Sequence, residues 1–404
     1  MSTSLLYHAF GVRGYQYAST AYLGGQIHFK VEQAREKLRC PICGSAEVTR
    51  RGEVARSFRG VPVGGRAVWI TLGVARVGCQ TCEMVRQVAV DFAEPRRTYT
   101  KAFGRYALEL SRMTTIQDVA RHLGVGWDLI KEIQRADLQR RFKRPKLNKL
   151  RQLAIDEICI GSQHRYVTLV LDLTSGAVVF VGEGKGSDAL EPFWKRLGRR
   201  RAKIEAVAID MSLAYIKAVT EHLPNARIVF DHFHIIKLFN EKLSQLRRDL
   251  FRQATDKLHK DVLKGTRWLL MKNPENLLPE RNEAQRLEEA LELNADLAKA
   301  YYLKEELRQL WNQPNWTAAR NFLTSWYLRA QASGVRLLQQ FARTILAHSE
   351  GILNYFKYPI STGPLEGTNN KVRTMQRQAY GFRDHEFFKL KIYALHETKY
   401  ALIG

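Results

Sequence analysis

The stretch Ala206-Val207-Ala208-Ile209-Asp210 decides how the second half of this chain folds. Four consecutive apolar residues closed by a carboxylate read as a short buried strand with an acid at its C-terminal end. The flanking sequence extends the pattern. A helix over residues 189–197 precedes this strand, a helix over 215–222 follows it, and a further strand over 226–230 ends at Asp231. Upstream, Leu153-Ala154-Ile155 leads into Asp156, which ends or lies within a strand. The apolar runs 166–173 and 177–181 flank Thr174-Ser175-Gly176, a hairpin signal. From about Leu150 the order is therefore strand, hairpin, helix, strand, helix, strand.

In an α/β sheet, ligands gather at the C-terminal ends of the strands. Neighbouring parallel strands can bring Asp156 and Asp210 close together, and two such carboxylates repel unless a cation lies between them. Oxygen ligands suit Mg²⁺ or Mn²⁺. A pair of such ions stabilises both the attacking and the leaving oxygen of a phosphoryl transfer. Glu366 is the best candidate for a third carboxylate. It opens a helix after Gly363-Pro364, and Asn370, Lys371, Arg373 and Arg377 follow along that helix as donors for a DNA phosphate. Asp231 also follows a strand. It is open to reading as a supporting residue or as an alternative ligand, while His232 and His234 either orient it, touch DNA, or cap the start of the next segment.

The first part of the chain carries two other signals. Cys40-Pro41-Ile42-Cys43 and Cys79-Gln80-Thr81-Cys82 are paired CxxC turns that can close a four-cysteine structural zinc site. The gap between them is longer than in most zinc ribbons. Val68, Ile70, Leu72 and Val74 alternate within it and 61–65 can turn, so a β-hairpin between the two turns is expected. Cys159 stands alone in a strand pattern and reads as a core residue. Residues 115–133 have the pattern of a helix-turn-helix. Thr115 and Asp118 resemble a capping pair. Ala120 allows a close helix crossing, and Gly124 allows the turn. Val119, Leu123, Val125, Ile130 and Ile133 fall at core positions. The second helix starts near Trp127 and would present Trp127, Asp128 and Lys131 to the major groove.

The 404 residues include 64 Lys and Arg against 40 Asp and Glu, a formal charge of +24. A chain this basic meets a polyanion. No apolar run approaches the ~18 residues of a membrane span, and the first 30 residues lack the apolar core of a signal peptide. A nucleic-acid partner and a cytoplasmic, nucleoid-associated location follow as expectations. There the cysteines stay reduced, which favours metal over disulfides. Between about 235 and 356 no strand pattern appears, only Leu, Arg, Glu and Trp at helical spacing, so this reads as an all-helical insertion; its Trp268, Trp311, Trp316 and Trp326 read as core residues, with a dimer contact or a DNA clamp as the alternative.

At this point the motifs resemble a known family. They are Ile155-Asp156-Glu157, Ala208-Ile209-Asp210-Met211-Ser212, Asp231-His232-Phe233-His234 and Leu365-Glu366-Gly367-Thr368-Asn369-Asn370-Lys371, running on to Arg377, Gly381 and Phe382. Together they resemble bacterial insertion-sequence transposases of the ISL3 family, DDE enzymes with a ribonuclease H-like catalytic core. The resemblance covers essentially the whole chain. It implies a multidomain α+β protein: an N-terminal segment and zinc ribbon (1–95), a helix-turn-helix domain (96–148), the first part of the core (149–240), a helical insertion (241–350) and the last part of the core (351–404). It implies Asp156, Asp210 and Glu366 as the metal-binding triad. It also implies binding of terminal inverted repeats, metal-dependent strand cleavage and strand transfer on double-stranded DNA, and a homodimer or larger synaptic complex. Three rivals are a recombinase with a covalent nucleophile, a DNA-binding regulator and a ribonuclease H-like structure-specific nuclease. No histidine begins a His-x-x-Arg motif, which argues against the tyrosine type of recombinase.

Overall fold

Two units meet at Arg141/Phe142 in the computed structural model, which describes residues 5–161, 164–199 and 202–399. The outermost residues of the first and last expected segments, 1–4 and 400–404, lie outside the described residues.

The first unit is a short helix, Leu5–Phe10, then a sheet, then three further helices. Its strands are β1 (Tyr15–Leu23), β2 (Gln26–Gln33), β3 (Val48–Val63), β4 (Arg66–Cys79) and β5 (Val85–Gln87). They run in the order β1-β2-β4-β3, with β5 also on β4. The expected hairpin is present: β3 and β4 pair antiparallel through Gly64 and Gly65, both at positive φ, a region open to glycine at little cost. Val68, Ile70, Leu72 and Val74 are buried against Phe58 and Phe92. The β1–β2 hairpin is new. Most of β1 is exposed, so it carried no apolar alternation to read. The helices after the sheet are Lys101–Leu110, Ile116–Leu123 and Trp127–Phe142. The last runs on through the basic residues Arg140 and Arg141.

The second unit holds β6 (Gln152–Gly161), β7 (Arg165–Asp172), β8 (Val178–Glu183), β9 (Ala206–Ile209) and β10 (Arg227–Phe230) in the order β10-β9-β6-β7-β8. β6, β7 and β8 are antiparallel neighbours, whereas β9 and β10 run parallel to β6. Asp172 fixes the β7–β8 turn by accepting hydrogen bonds from Ser175 Oγ (2.5 Å) and the Ser175 N–H (3.0 Å). After β10 the chain is helical to Phe356, beginning with His232–Gln253 and returning through Ser349–Leu353. It then forms two separate helices, Gly363–Gln378 and His385–Tyr393. Tyr380 and Gly381 break them apart at positive φ.

Two core expectations need correction. Cys159 is exposed, because it falls on the open face of β6 near its end. Of the four insertion tryptophans, Trp326 is fully buried beside Phe239 and Phe341 and donates Nε1–H to the Leu303 carbonyl at 2.8 Å. Trp311 is half-buried, while Trp268 and Trp316 are exposed, with an arginine over each ring. Helical spacing alone did not distinguish the two faces. No helix among the described residues is long and apolar enough to cross a membrane.

Candidate active site and candidate metal centre

The register of the second sheet aligns its acids. Ala154 of β6 pairs with Ala208 of β9, and Ala208 pairs with Val229 of β10. Asp156, Asp210 and Asp231 each stand two residues further along. Because strand side chains alternate with period two, the three fall on one face of three adjacent strands spaced about 4.8 Å apart. The Asp231 N–H donates to the Ile209 carbonyl at 3.1 Å, carrying the pairing past the strand end. Glu157 faces the other way, where it accepts the Tyr215 hydroxyl at 2.7 Å. Burial pushes the Asp156 carboxyl above its usual range, with the Asp210 and Glu157 charges adding to the rise and the Glu157 N–H opposing it.

Glu366 lies in the first turn of Gly363–Gln378 and is exposed. The helix is tied to β6 one turn later, where Asn369 Nδ2 donates to Asp156 Oδ2 at 2.8 Å. Asn369 is buried, and its Oδ1 has no partner among the described residues. Leu365, Thr368 and Val372 form the buried face of the helix. Glu366, Asn370, Arg373 and Arg377 fall at i, i+4, i+7 and i+11, one exposed stripe beside Asn369. Lys371 is exposed on another side. Asn369 was within the quoted motif but was not singled out. Its spacing of three from Glu366 was the available signal.

Asp231 is 3% exposed and nearly every acceptor site on it is used. Its Oδ2 accepts the His234 N–H (3.3 Å) and faces His234 Nδ1 (3.1 Å), while its Oδ1 accepts the Thr362 N–H (3.2 Å). Burial alone would raise its pKa, but the His234 hydrogen bond, the two histidine charges and the Thr362 N–H hold it low. The same hydrogen bond raises the basicity of His234 against the effect of burial, and the fields of Asp231, Asp156 and Asp210 add to it. His232 turns to the insertion aromatics, with ring centroids 5.7 Å from Trp311 and 6.4 Å from Tyr355.

In the first unit the four cysteines meet. Cys40 Sγ is 3.6 Å from Cys82 Sγ, Cys43 Sγ is 3.5 Å from Cys79 Sγ, and all four lie within 4.8 Å of one another. Sulfurs 2.3 Å from a tetrahedral centre would be about 3.8 Å apart, so this is a cluster able to bind zinc. Each turn builds itself locally. The Gly44 N–H returns to the Cys40 carbonyl (3.0 Å) and the Cys79 N–H goes to the Met84 carbonyl (3.0 Å). The residue after each second cysteine has positive φ, Gly44 at 73° and Glu83 at 54°. The Cys82 N–H, helped by Cys43 and the Thr81 N–H, outweighs burial and holds Cys79 down to about 6. The β3–β4 register, which sets Val48 opposite Cys79, brings the two turns together. Among the described residues this is the one group of three or more such donors already drawn together; Asp156, Asp210 and Glu366 are not.

The helix-turn-helix geometry is as expected. Thr115 Oγ1 accepts the Asp118 N–H (3.2 Å) and donates to Asp118 Oδ2 (2.6 Å). Gly124 turns at φ 60°, and the Val125 N–H reaches the Ala120 carbonyl at 3.0 Å. Val119, Ala120, Leu123, Ile130 and Ile133 are buried and Val125 is half-buried. Trp127 and Asp128 are exposed, and Lys131 Nζ lies 5.0 Å over the Trp127 ring. Sequence reasoning missed Arg59 of β3. It is 5% exposed, donates Nη2–H to the Leu123 carbonyl at 2.7 Å, and lies 5.8 Å from the Phe103 ring. A lone arginine in a strand gives no sign of closing a helix end.

Family profiles match residues in each of the two units. A family profile described as a transposase matches residues 153–392, and one described as the helix-turn-helix domain of transposase family ISL3 matches residues 88–136. The transposase for insertion sequence element IS1001 of Bordetella parapertussis is 32% identical over 376 residues, 92% of each chain. The transposase for insertion sequence element IS1557 of Mycobacterium tuberculosis is 30% identical over 372 residues, 85% of this chain and 82% of the relative. The Drosophila P element transposase strand transfer complex aligns with a TM-score of 0.40 at 13% identity, covering 76% of this chain and 92% of that one, a likeness too slight to bear on the fold.

Proposed function

The chain belongs to transposase family ISL3, and from that premise we propose that this DNA transposase cuts at the terminal inverted repeats of its element and transfers the freed strand at a site built from Asp156, Asp210 and Glu366. The observation that carries this reading is the shared register of Asp156 and Asp210, with the Glu366 helix hydrogen-bonded to Asp156. The sheet order, three antiparallel strands extended by two parallel ones, supports a ribonuclease H-like core.

The donor set is all oxygen, and the Asp156 carboxyl is raised by burial beside Asp210, so the acids fit a divalent cation such as Mg²⁺ or Mn²⁺. A pair of ions held there would supply an activated nucleophile and charge stabilisation at the leaving oxygen. Asp156 and Asp210 provide ligands from adjacent strands and Glu366 completes the set from its helix. Asn370, Arg373 and Arg377, on the stripe that starts at Glu366, and Lys371 on another side of the same helix hold the DNA backbone. The same site serves two transfers. Water opens the terminal phosphodiester and leaves a 3′-OH, which then attacks a phosphodiester of the target strand and displaces its 3′-oxygen.

The four cysteines hold one structural zinc. The helix from Trp127 reads the end sequence, with Trp127, Asp128 and Lys131 nearest the groove. Two ends must be joined, so the working form is a dimer or larger, acting at the nucleoid. The charge of +24 makes binding steeply salt-dependent.

Asp156→Asn and Glu366→Gln test this reading. Each should bind an inverted-repeat duplex as the parent does and lose cleavage and strand transfer in Mg²⁺. Undiminished cutting by either variant refutes the triad, and cutting that ignores the end sequence points to a nuclease instead.

A further inference from the structure

The helical insertion leaves the sheet at Asp231, and the chain returns to the same carboxylate at Thr362. Asp231 caps the helix His232–Gln253 through the His234 N–H, and its other oxygen accepts the Thr362 N–H just before Gly363–Gln378. About 130 residues thus begin and end on one buried side chain. The return path is packed against the same strand. Asn354 Nδ2 donates to the Ile228 carbonyl at 2.9 Å, and Gly351 lies against the Phe230 ring so closely that a Cβ there would come within 2.4 Å of it.

That arrangement separates Asp231 from its neighbours in the row. Asp156 is half-buried with one protein donor on each oxygen, whereas Asp231 is 3% exposed, with the His234 N–H and ring on Oδ2 and the Thr362 N–H on Oδ1. A carboxylate enclosed by the protein as well as hydrogen-bonded to it is a poor metal ligand and a good anchor. What it anchors is His234. Nδ1 faces Asp231, which leaves Nε2 as the outward nitrogen of a ring that is 25% exposed and lies within the field of Asp156 and Asp210. A histidine whose other nitrogen is fixed by a carboxylate is oriented for one defined contact.

Resting on the triad reading above, we propose that Asp231 is a positioning residue that ties both ends of the insertion to the sheet and aims His234, whose Nε2 contacts an oxygen of the reacting DNA phosphate. His234 is then a further residue of the catalytic centre, and Asp231 acts through it and through the placement of Glu366.

The test uses the full chain, a transposon-end duplex and Mg²⁺, with Asp231→Asn, His234→Ala, the double variant and Asp156→Asn. His234→Ala keeps the N-cap and should fold as the parent does. It should bind the duplex within about twofold and cut it roughly 10–100-fold more slowly, the usual cost of losing an outer partner. The double variant should cut no more slowly than Asp231→Asn, because the two residues act as one unit. The Mg²⁺ concentration giving half-maximal cutting should not change in His234→Ala. Parent-like cutting by His234→Ala, or multiplicative losses in the double variant, overturns the proposal. So does a rise well beyond about a hundredfold, past the cost of an outer partner, in the Mg²⁺ requirement of Asp231→Asn, which would make Asp231 itself a ligand. Asp156→Asn separates the two readings. If it cuts, the triad fails; if it is inert while His234→Ala is fully active, only the present inference fails.

Discussion

The cysteine cluster and the acidic row both offer metal-ligating side chains, yet one is assembled and the other is held apart. The thiols of Cys40, Cys43, Cys79 and Cys82 sit at the spacing of a tetrahedral site. Thiols can stay neutral or share protons, so they pack together at little electrostatic cost, and two local turns plus one strand register suffice to gather them. Asp156, Asp210 and Glu366 come from a strand interior, a strand end and a helix 156 residues further on. Carboxylates repel at the separation a cation would need, and Asn369 and a backbone N–H occupy Asp156 meanwhile. On the reading proposed above, the first site belongs to folding and the second to chemistry.

That contrast can be broken most forcefully at the cysteines. Structural zinc contributes about 10–16 kcal/mol to the folding of small domains. Cys43→Ser or a strong chelator should therefore abolish the thermal transition of the first unit and leave that of the second in place, as seen by calorimetry. A first unit that still melts cooperatively after chelation would show that its sheet needs no metal.

Asp210→Asn should do the reverse. We expect cleavage to fall at least about a thousandfold, roughly 4 kcal/mol of transition-state stabilisation, with the melting profile and end binding retained. Loss of folding in this variant would mean that the acidic row is structural.

A smaller effect sharpens the comparison within the first unit. Thr115→Ala removes the reciprocal cap with Asp118 and should cost about 1 kcal/mol, lowering the denaturant midpoint of the first unit without changing metal content.

The smallest expected change concerns Asp156 alone. Its folded pKa is raised by burial and by Asp210, so its contribution to stability is present only at low pH and is lost as pH rises through the folded pKa. At neutral pH and without metal, Asp156→Asn should melt a few degrees above the parent. The gap should close on acidification toward the ordinary value of 3.8 and reverse when Mg²⁺ is added. A variant less stable at every pH would contradict the strain assigned to this carboxylate.

Much of this molecule could be read from local pattern. Paired CxxC turns, the capped helix-turn-helix and the run Ala206–Ile209 carry their structure in neighbouring residues, because turns, caps and buried strands are fixed by short-range sterics and periodicity. The apolar alternation of β4 announced its hairpin. Nothing local revealed that Asp231 would hold Thr362, that Asn369 would reach Asp156, or that Arg59 would close a helix end, for these contacts join residues 131, 213 and 64 positions apart. Nor could spacing separate buried Trp326 from exposed Trp268 and Trp316, since which helix face is covered depends on what packs against it. The sequence by itself determined the metal-ligating residue types and the local elements that carry them; only the tertiary structure decided which of those residues meet, because meeting depends on sheet register and on the return of a long insertion to the strand it left.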